Sequence, residues 1–250
     1  VAAALLIAMG LGLPGRSMAF EAVHRLTVTL LPAQGVLEGT DRIRLIDCPL
    51  DLVPMGLSAR VRIEALEVNG VARNPTQTPH GPAVALDPAE RAGPVDLLVR
   101  YAGRFEDEAP VSPINTDNPG YGVSGTISTR GILLLGGAGW YPAIAGAAES
   151  VHLRVSAPFG ISAVTAGLPE GVSSEDGQTV SSWRIDPPAE RLALAAGRYV
   201  ITHSQAGEVP TATYFLSDDP DLAATYLKAT AGYIALYAER FGPYAFPKFA

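Results

Sequence analysis

Cysteine is nearly absent from this chain. Cys48 stands alone among 250 residues, which excludes an internal disulfide and any zinc site assembled from paired thiolates. A single cysteine of this kind is expected to be a small buried apolar residue. Charge is scarce as well: only 17 % of residues are charged, the formal net charge is −7, and no Lys/Arg run interrupts the chain. Without such a run a row of phosphates is not neutralised, so nucleic acid is not expected as a partner. After the first 13 residues no long apolar run occurs, and a bilayer span needs about 20 apolar residues. No membrane span is therefore expected in the mature chain.

Paired catalytic or ligating residues are also missing. His24, His80, His152 and His203 are scattered singly, and none has a second histidine or a carboxylate at the spacing a zinc helix uses. Each is expected to be a surface or strand histidine. Gly122-Val123-Ser124-Gly125 misses the nucleophile-elbow spacing of a serine hydrolase by one residue. The glycines of Gly136-Gly137-Ala138-Gly139 follow an apolar strand but lead into Trp140, Tyr141 and Pro142, whereas a dinucleotide-binding turn must open a helix. They are expected to mark a tight bend where another backbone or a substrate approaches closely. The chain is thus assigned no catalytic, cofactor-binding or metal-binding residue of its own.

What is present is apolar residue, 48 % of the chain, enough to build a sizeable core in one or two domains. The first residue is valine, and residues 1–13 are almost wholly apolar before Pro14, Gly15 and Arg16 end the run. With Ser17, Met18 and Ala19 following, this resembles the apolar middle and cleavage site of a secretory signal peptide. Residues 1–19 are therefore expected to be a signal-peptide remnant, Phe20 the mature start, and the protein exported to a periplasm or the extracellular space.

From Val23 the pattern has period two. Leu26, Val28 and Leu30 alternate with Thr27 and Thr29, Ile43 and Leu45 with Arg42 and Arg44, and Val61 and Ile63 with Arg62 and Glu64, each predicting a half-buried strand. Asn69-Gly70 predicts a tight hairpin turn. Further strands are predicted over residues 95–101, 132–135, 151–155, 180–185, 192–201 and 212–216, at the intervals of a sandwich or barrel. Glu106, Asp107 and Glu108, followed by Pro110, Pro113 and Pro119, are expected to form a solvated acidic loop, since adjacent carboxylates do not converge on one ion without a turn framework.

Near Ser217 the period changes to that of a helix. Leu222, Tyr226, Tyr233 and Tyr237 share one face, with Thr230 between them and Leu227, Ile234 and Leu236 widening the stripe; Asp219 is placed to cap the first turn, with Pro220 at the first helical position and Asp221 favouring the dipole. Gly242 and Pro243 end the helix. The acidic cluster at 218, 219 and 221 is thus read as a helix start and not as a cation site.

Tyr237, Phe241-Gly242-Pro243-Tyr244, Phe246-Pro247 and Lys248 form a specific cluster after this helix, and Trp140-Tyr141-Pro142 and Gly39-Thr40-Asp41 add weaker elements before it. Together they resemble the aminopeptidase N-like zinc metallopeptidases. The resemblance implies a mainly β chain: an antiparallel, saddle-like β-sandwich domain over residues 20–207, then the first strand and helix of a thermolysin-like α/β catalytic domain over residues 208–250. It further implies that the full-length protein hydrolyses peptides with a zinc ion held by an H-E-x-x-H helix beyond residue 250, with none bound by this chain. Relatives hold the substrate's α-amine with a glutamine or glutamate, but Thr126-Ile127-Ser128-Thr129-Arg130 supplies neither. Two alternatives stand beside this reading: a stand-alone exported β-sandwich that binds a partner or sugar, and a metal-free relative serving as scaffold.

Overall fold

Alternation of apolar and polar side chains makes Glu21–Leu31 a strand, β1, in the computed structural model, which describes residues 20–79, 81–108, 123–186 and 191–250. Residues 1–19, expected to be a signal-peptide remnant, His80, the three prolines at 110, 113 and 119, and Gly122 lie outside the described residues.

The described residues form seventeen strands, one α-helix and two single-turn 3-10 helices. Eight strands make one large sheet in the order β13 (Leu168–Glu175), β14 (Gln178–Ile185), β11 (Ala148–Pro158), β1, β2 (Val36–Ile46), β8 (Val95–Arg104), β4 (Val61–Val68) and β5 (Val71–Ala72). Only β1 and β11 pair in parallel. A second sheet orders β12 (Ser162–Thr165), β15 (Leu194–Gly197), β10 (Gly131–Leu134) and β9 (Gly125–Ser128), and a third orders β3 (Leu52–Pro54), β7 (Gly81–Ala85) and β6 (Thr76–Thr78). Inward side chains of all three sheets share one contiguous core that includes Leu26, Val84, Leu134, Leu153 and Leu194. The architecture is the mainly β sandwich that the sequence pattern predicts.

Local signals explain most elements. Asn69 and Gly70 adopt φ of 50° and 79°, the positive values a two-residue hairpin turn needs, and β5 returns along β4. Along β4 the inward parity shifts from Val61 and Ile63 to Leu66 and Val68, because the pairing slips between Ile63 and Ala65; a bulge inserts one residue and turns the pattern over. Cys48 is buried.

Two expectations are corrected. The continuous strand expected over residues 192–201 is two strands: β15 closes into the four-stranded sheet, then Arg198 and Tyr199 turn the chain into β16 (Val200–Ala206), which pairs with β17 (Val209–Phe215) as a separate two-stranded sheet. The helix, α1 (Pro220–Phe241), is capped as expected, with the Asp219 carboxylate accepting from Leu222 N–H at 2.9 Å and Gly242 at φ 93°. The expected stripe is split, however: Leu227, Thr230 and Ile234 turn inward with Ala223, Ala231 and Ala238, whereas Leu222, Tyr226, Tyr233, Leu236 and Tyr237 are exposed. The helix rests on the β16–β17 hairpin, where Tyr226 also meets Phe215 edge to face, with ring centroids 6.0 Å apart. The tail returns to the same hairpin: Phe249 N–H donates to Pro210 O and Phe249 O accepts from Ala212 N–H.

Candidate functional site

In β1 the even-numbered residues face inward, and His24 is one of them. In β2 the odd-numbered residues face inward, and Asp41 is one of them. In β11 the first inward residue is Glu149. Three ionisable groups therefore meet inside the sandwich, with His24 and Asp41 fully buried. His24 Nδ1 lies 2.7 Å from Asp41 Oδ2, and His24 Nε2 lies 3.5 Å from Glu149 Oε1. Burial alone would lower the imidazolium pKa. The charge of Asp41 and the hydrogen bonds to Asp41 and Glu149 outweigh it and push the value up to about 10. The placement between Asp41 and Glu149 thus favours the protonated form of His24.

Glu149 carries the network outward. Its Oε1 accepts from Ile144 N–H and its Oε2 from Tyr141 O–H. Tyr141 in turn accepts from Leu192 N–H at 3.2 Å, while Trp140 Nε1 donates to Leu192 O at 2.8 Å. The aromatic pair thereby satisfies both backbone groups of Leu192 and clamps the segment entering β15 against the loop before β11. Burial and the Glu149 charge raise the Tyr141 phenol. Tyr101 lies across Gly39, where a Cβ would meet its ring at 2.2 Å. Burial, then Asp41, raises its phenol well above the ordinary value.

This network backs a cleft of about 580 Å³ whose walls include Ser58, Gly136, Gly139, Tyr141, Glu149 and Arg191. The close approach expected at the glycines is found. A Cβ on Gly136 would stand 2.2 Å from Arg191 O, and one on Gly139, at φ 63°, would stand 2.5 Å from Ser58 N. The volume suits a small ligand or a short peptide segment. Both Glu149 oxygens are spent inside the fold, however, so the arrangement positions the wall and offers no free general base.

The acidic loop is corrected. Asp107 does not face solvent as expected. Its carboxylate accepts from Gly125 N–H, Ser124 N–H and Ser124 O–H, and Arg60 lies 2.7 Å away. These donors, with Gly125 foremost, outweigh burial and hold its pKa well below the carboxylate range. It ties residues 105–107 to the edge strand β9 and engages the only serine that had invited a hydrolase reading. Glu106 is exposed and pairs with Arg104. Among the remaining histidines, His152 is exposed on β11 and His203 exposed on β16. The site residues that reasoning from sequence missed are His24, Asp41 and Glu149. Their signal was parity: each occupies an inward position of a strand whose other inward residues are apolar. Among the described residues no group of three or more His, Cys, Asp or Glu is arranged to hold a metal ion, so a zinc ion does not fit the residues in view.

No protein-family model matches the sequence, and no curated protein does. Solved structures do match. An M1 zinc metallopeptidase from Deinococcus radiodurans superimposes with a TM-score of 0.68 at 21 % identity, over 92 % of this chain and 56 % of the other. The same enzyme in mutant form, bound to a Tyr-Ser-Ala substrate, matches with the same figures: TM-score 0.68, 21 % identity and the same 92 % and 56 %. A two-domain M1 zinc metallopeptidase mutant bound to L-arginine matches with a TM-score of 0.67 at 20 % identity, over 91 % and 54 %. This chain thus has the fold of these M1 zinc metallopeptidases over nearly all of its own length, while spanning little more than half of theirs.

Proposed function

We propose that this chain is the amino-terminal portion of an exported zinc metallopeptidase that cleaves peptides from their amino end. Residues 20–207 are its β domain, residues 208–250 open its catalytic domain, and the zinc-binding helix lies beyond residue 250. The observation that carries this reading is the structural match over 92 % of this chain to M1 zinc metallopeptidases. The uncovered stripe on α1 supports it, because Tyr226, Tyr233 and Tyr237 are each more than half exposed and an amphipathic helix is stabilised chiefly by burying such a face. Export is supported by the apolar opening of residues 1–13 and the small residues that follow.

The contribution of this chain is a rigid wall. Trp140, Tyr141 and Glu149 fix the loop that lines the cleft, and the glycines allow a peptide backbone to approach. When bound, a catalytic zinc supplies water activation and carbonyl polarisation. Because β9 and the turn after it carry no carboxylate or carboxamide, a substrate amine must find its acceptor elsewhere in the full protein.

The test is to extend the coding sequence past Ala250, express the longer protein, and follow release of amino-terminal residues from tripeptides. The reading expects an H-E-x-x-H motif, release abolished by a chelator and release restored by zinc. A folded longer protein without hydrolysis at saturating zinc overturns it.

A further inference from the structure

The helix and its hairpin join the β body at a sparse junction. The chain crosses between them once, at Gly197 and Arg198, and Tyr199 beyond the crossing already meets Tyr214 of β17 edge to face, with ring centroids 5.6 Å apart. Beside the crossing lies a gap of about 170 Å³ whose walls include Ser128, Ile161, Gly197, Arg198 and Leu216. Among the described residues no strand of the body packs broadly on α1, β16 or β17. Units joined by a small interface and a short connection are free to change their relative angle.

Lys248 bridges this junction. On one side it belongs to the tail: Tyr244 O–H donates to Lys248 O at 3.4 Å, and the next residue, Phe249, is hydrogen-bonded to Pro210 and Ala212 of the hairpin. On the other side its ammonium stands 5.2 Å from the centre of the Trp183 ring, on β14 of the body. Trp183 is part of the core and its Nε1 has no hydrogen-bond partner, so the indole offers the ammonium its face. Lys248 enters no ion pair among the described residues, and burial lowers its pKa. Withdrawing an ammonium from water without a carboxylate partner is unfavourable, while indole is the best aromatic partner for a cation. A placement that departs from local rules, and that joins two otherwise loosely connected units, points to a role at the junction. We propose that Lys248 is a positioning residue that fixes the angle of the helix and hairpin on the β body by seating its ammonium on Trp183. The body carries the wall of the cleft and the helix opens the proposed catalytic domain, so this angle sets how wall and catalytic residues meet. That consequence rests on the proposed function, whereas the fixing of the angle does not.

The whole chain is spin-labelled at His152→Cys on β11 and Lys228→Cys on α1, and the distance between the labels is measured by double electron–electron resonance. Both positions are exposed and the native Cys48 is buried, so labelling is confined to the new thiols. One narrow distance distribution is expected for the labelled parent. Lys248→Met keeps an apolar stem over the indole and removes the charge. A cation–π contact of this kind contributes about fivefold, so the population outside the main distance is expected to rise about fivefold in Lys248→Met. Lys248→Arg keeps a cation that stacks on the ring and is expected to restore the narrow distribution. Cooperative thermal unfolding of each variant shows that the body is folded. A broad parent distribution, equally narrow distributions in the parent and Lys248→Met, or equally broad ones in Lys248→Met and Lys248→Arg overturn the proposal. No hydrolysis enters this measurement, so a longer protein that fails to cleave peptides counts against the proposed function alone.

Discussion

Between β1 and β15 nearly every inward side chain is covered, and His24 is hydrogen-bonded to Asp41 with Glu149 close by. Helix α1 buries a narrow face and leaves its aromatic stripe in solvent. The β body and the helix thus differ in closure. The body covers its apolar side chains with strands distant in sequence, although His24 Nε2, Asp41 Oδ1, the Tyr101 hydroxyl and Trp183 Nε1 are buried without a hydrogen-bond partner, whereas the helix covers only the half that rests on the β16–β17 hairpin. A body closed in this way can serve as a wall for something else. A helix half covered in this way has a surface left to give.

The largest effect should come from breaking the closure of the body at its charged centre. His24→Ala leaves Asp41 and Glu149 buried without their cation, and an uncompensated buried charge costs about 3–5 kcal/mol. The unfolding free energy in denaturant should fall by that amount at neutral pH. The pH dependence has a definite sign. The folded pKa of His24, about 10, lies above the ordinary 6.5, so its stabilisation is fully present below pH 6.5 and drains away as pH rises through 10. The unaltered chain should lose stability across that interval, and the His24→Ala variant should lose distinctly less. Parallel slopes would mean that the imidazole is neutral in the fold.

A smaller effect is expected at the glycine bend. Gly136→Ala places a methyl group 2.2 Å from Arg191 O, on a segment that Trp140 and Tyr141 already hold through Leu192. The backbone cannot yield freely, and overpacking of this kind costs about 1–3 kcal/mol. Gly137→Ala, with nothing within 4 Å of the new methyl, should be nearly neutral. Thermal unfolding of the two adjacent variants distinguishes a close approach from general intolerance of the bend.

Legibility from sequence follows the range over which each signal acts. Period-two alternation located β1, β2, β8, β11 and β14, and Asn69-Gly70 located its hairpin, because both are local. Parity also held the information that His24 and Asp41 point inward, yet a lone histidine and a lone aspartate gain meaning only when β1 and β2 are paired in register. Asp107 was misread for the same reason: its donors, Ser124 and Gly125, come from a strand across a loop. The helix was located by its cap and its period, but its buried face was not. The apolar stripe is wider than the hairpin can cover, so Leu227 and Ile234 are turned toward it while Leu222, Tyr233 and Tyr237 stay exposed, a division that depends on where the hairpin lies. The aromatic cluster of residues 241–248 pointed to the fold now matched in the solved structures, although composition gave no hint of it.

The two faces of the helix should separate through one local effect and the smallest effect of all. Leu227 is buried against the hairpin, and Leu227→Ala is expected to cost about 2–3 kcal/mol, lost from the hairpin and helix without affecting the charged centre of the body. Tyr233 and Tyr237 are 62 % and 57 % exposed, so Tyr233→Ser with Tyr237→Ser should change stability by no more than about 0.5 kcal/mol. Hydrogen exchange resolves the location: Leu227→Ala should speed exchange in α1, β16 and β17 while β1, β2 and β11 stay protected. The tyrosine pair should leave both regions as they were. If the pair instead destabilises as much as Leu227→Ala, the stripe is already covered in this chain by a second copy, and concentration-dependent unfolding would reveal it.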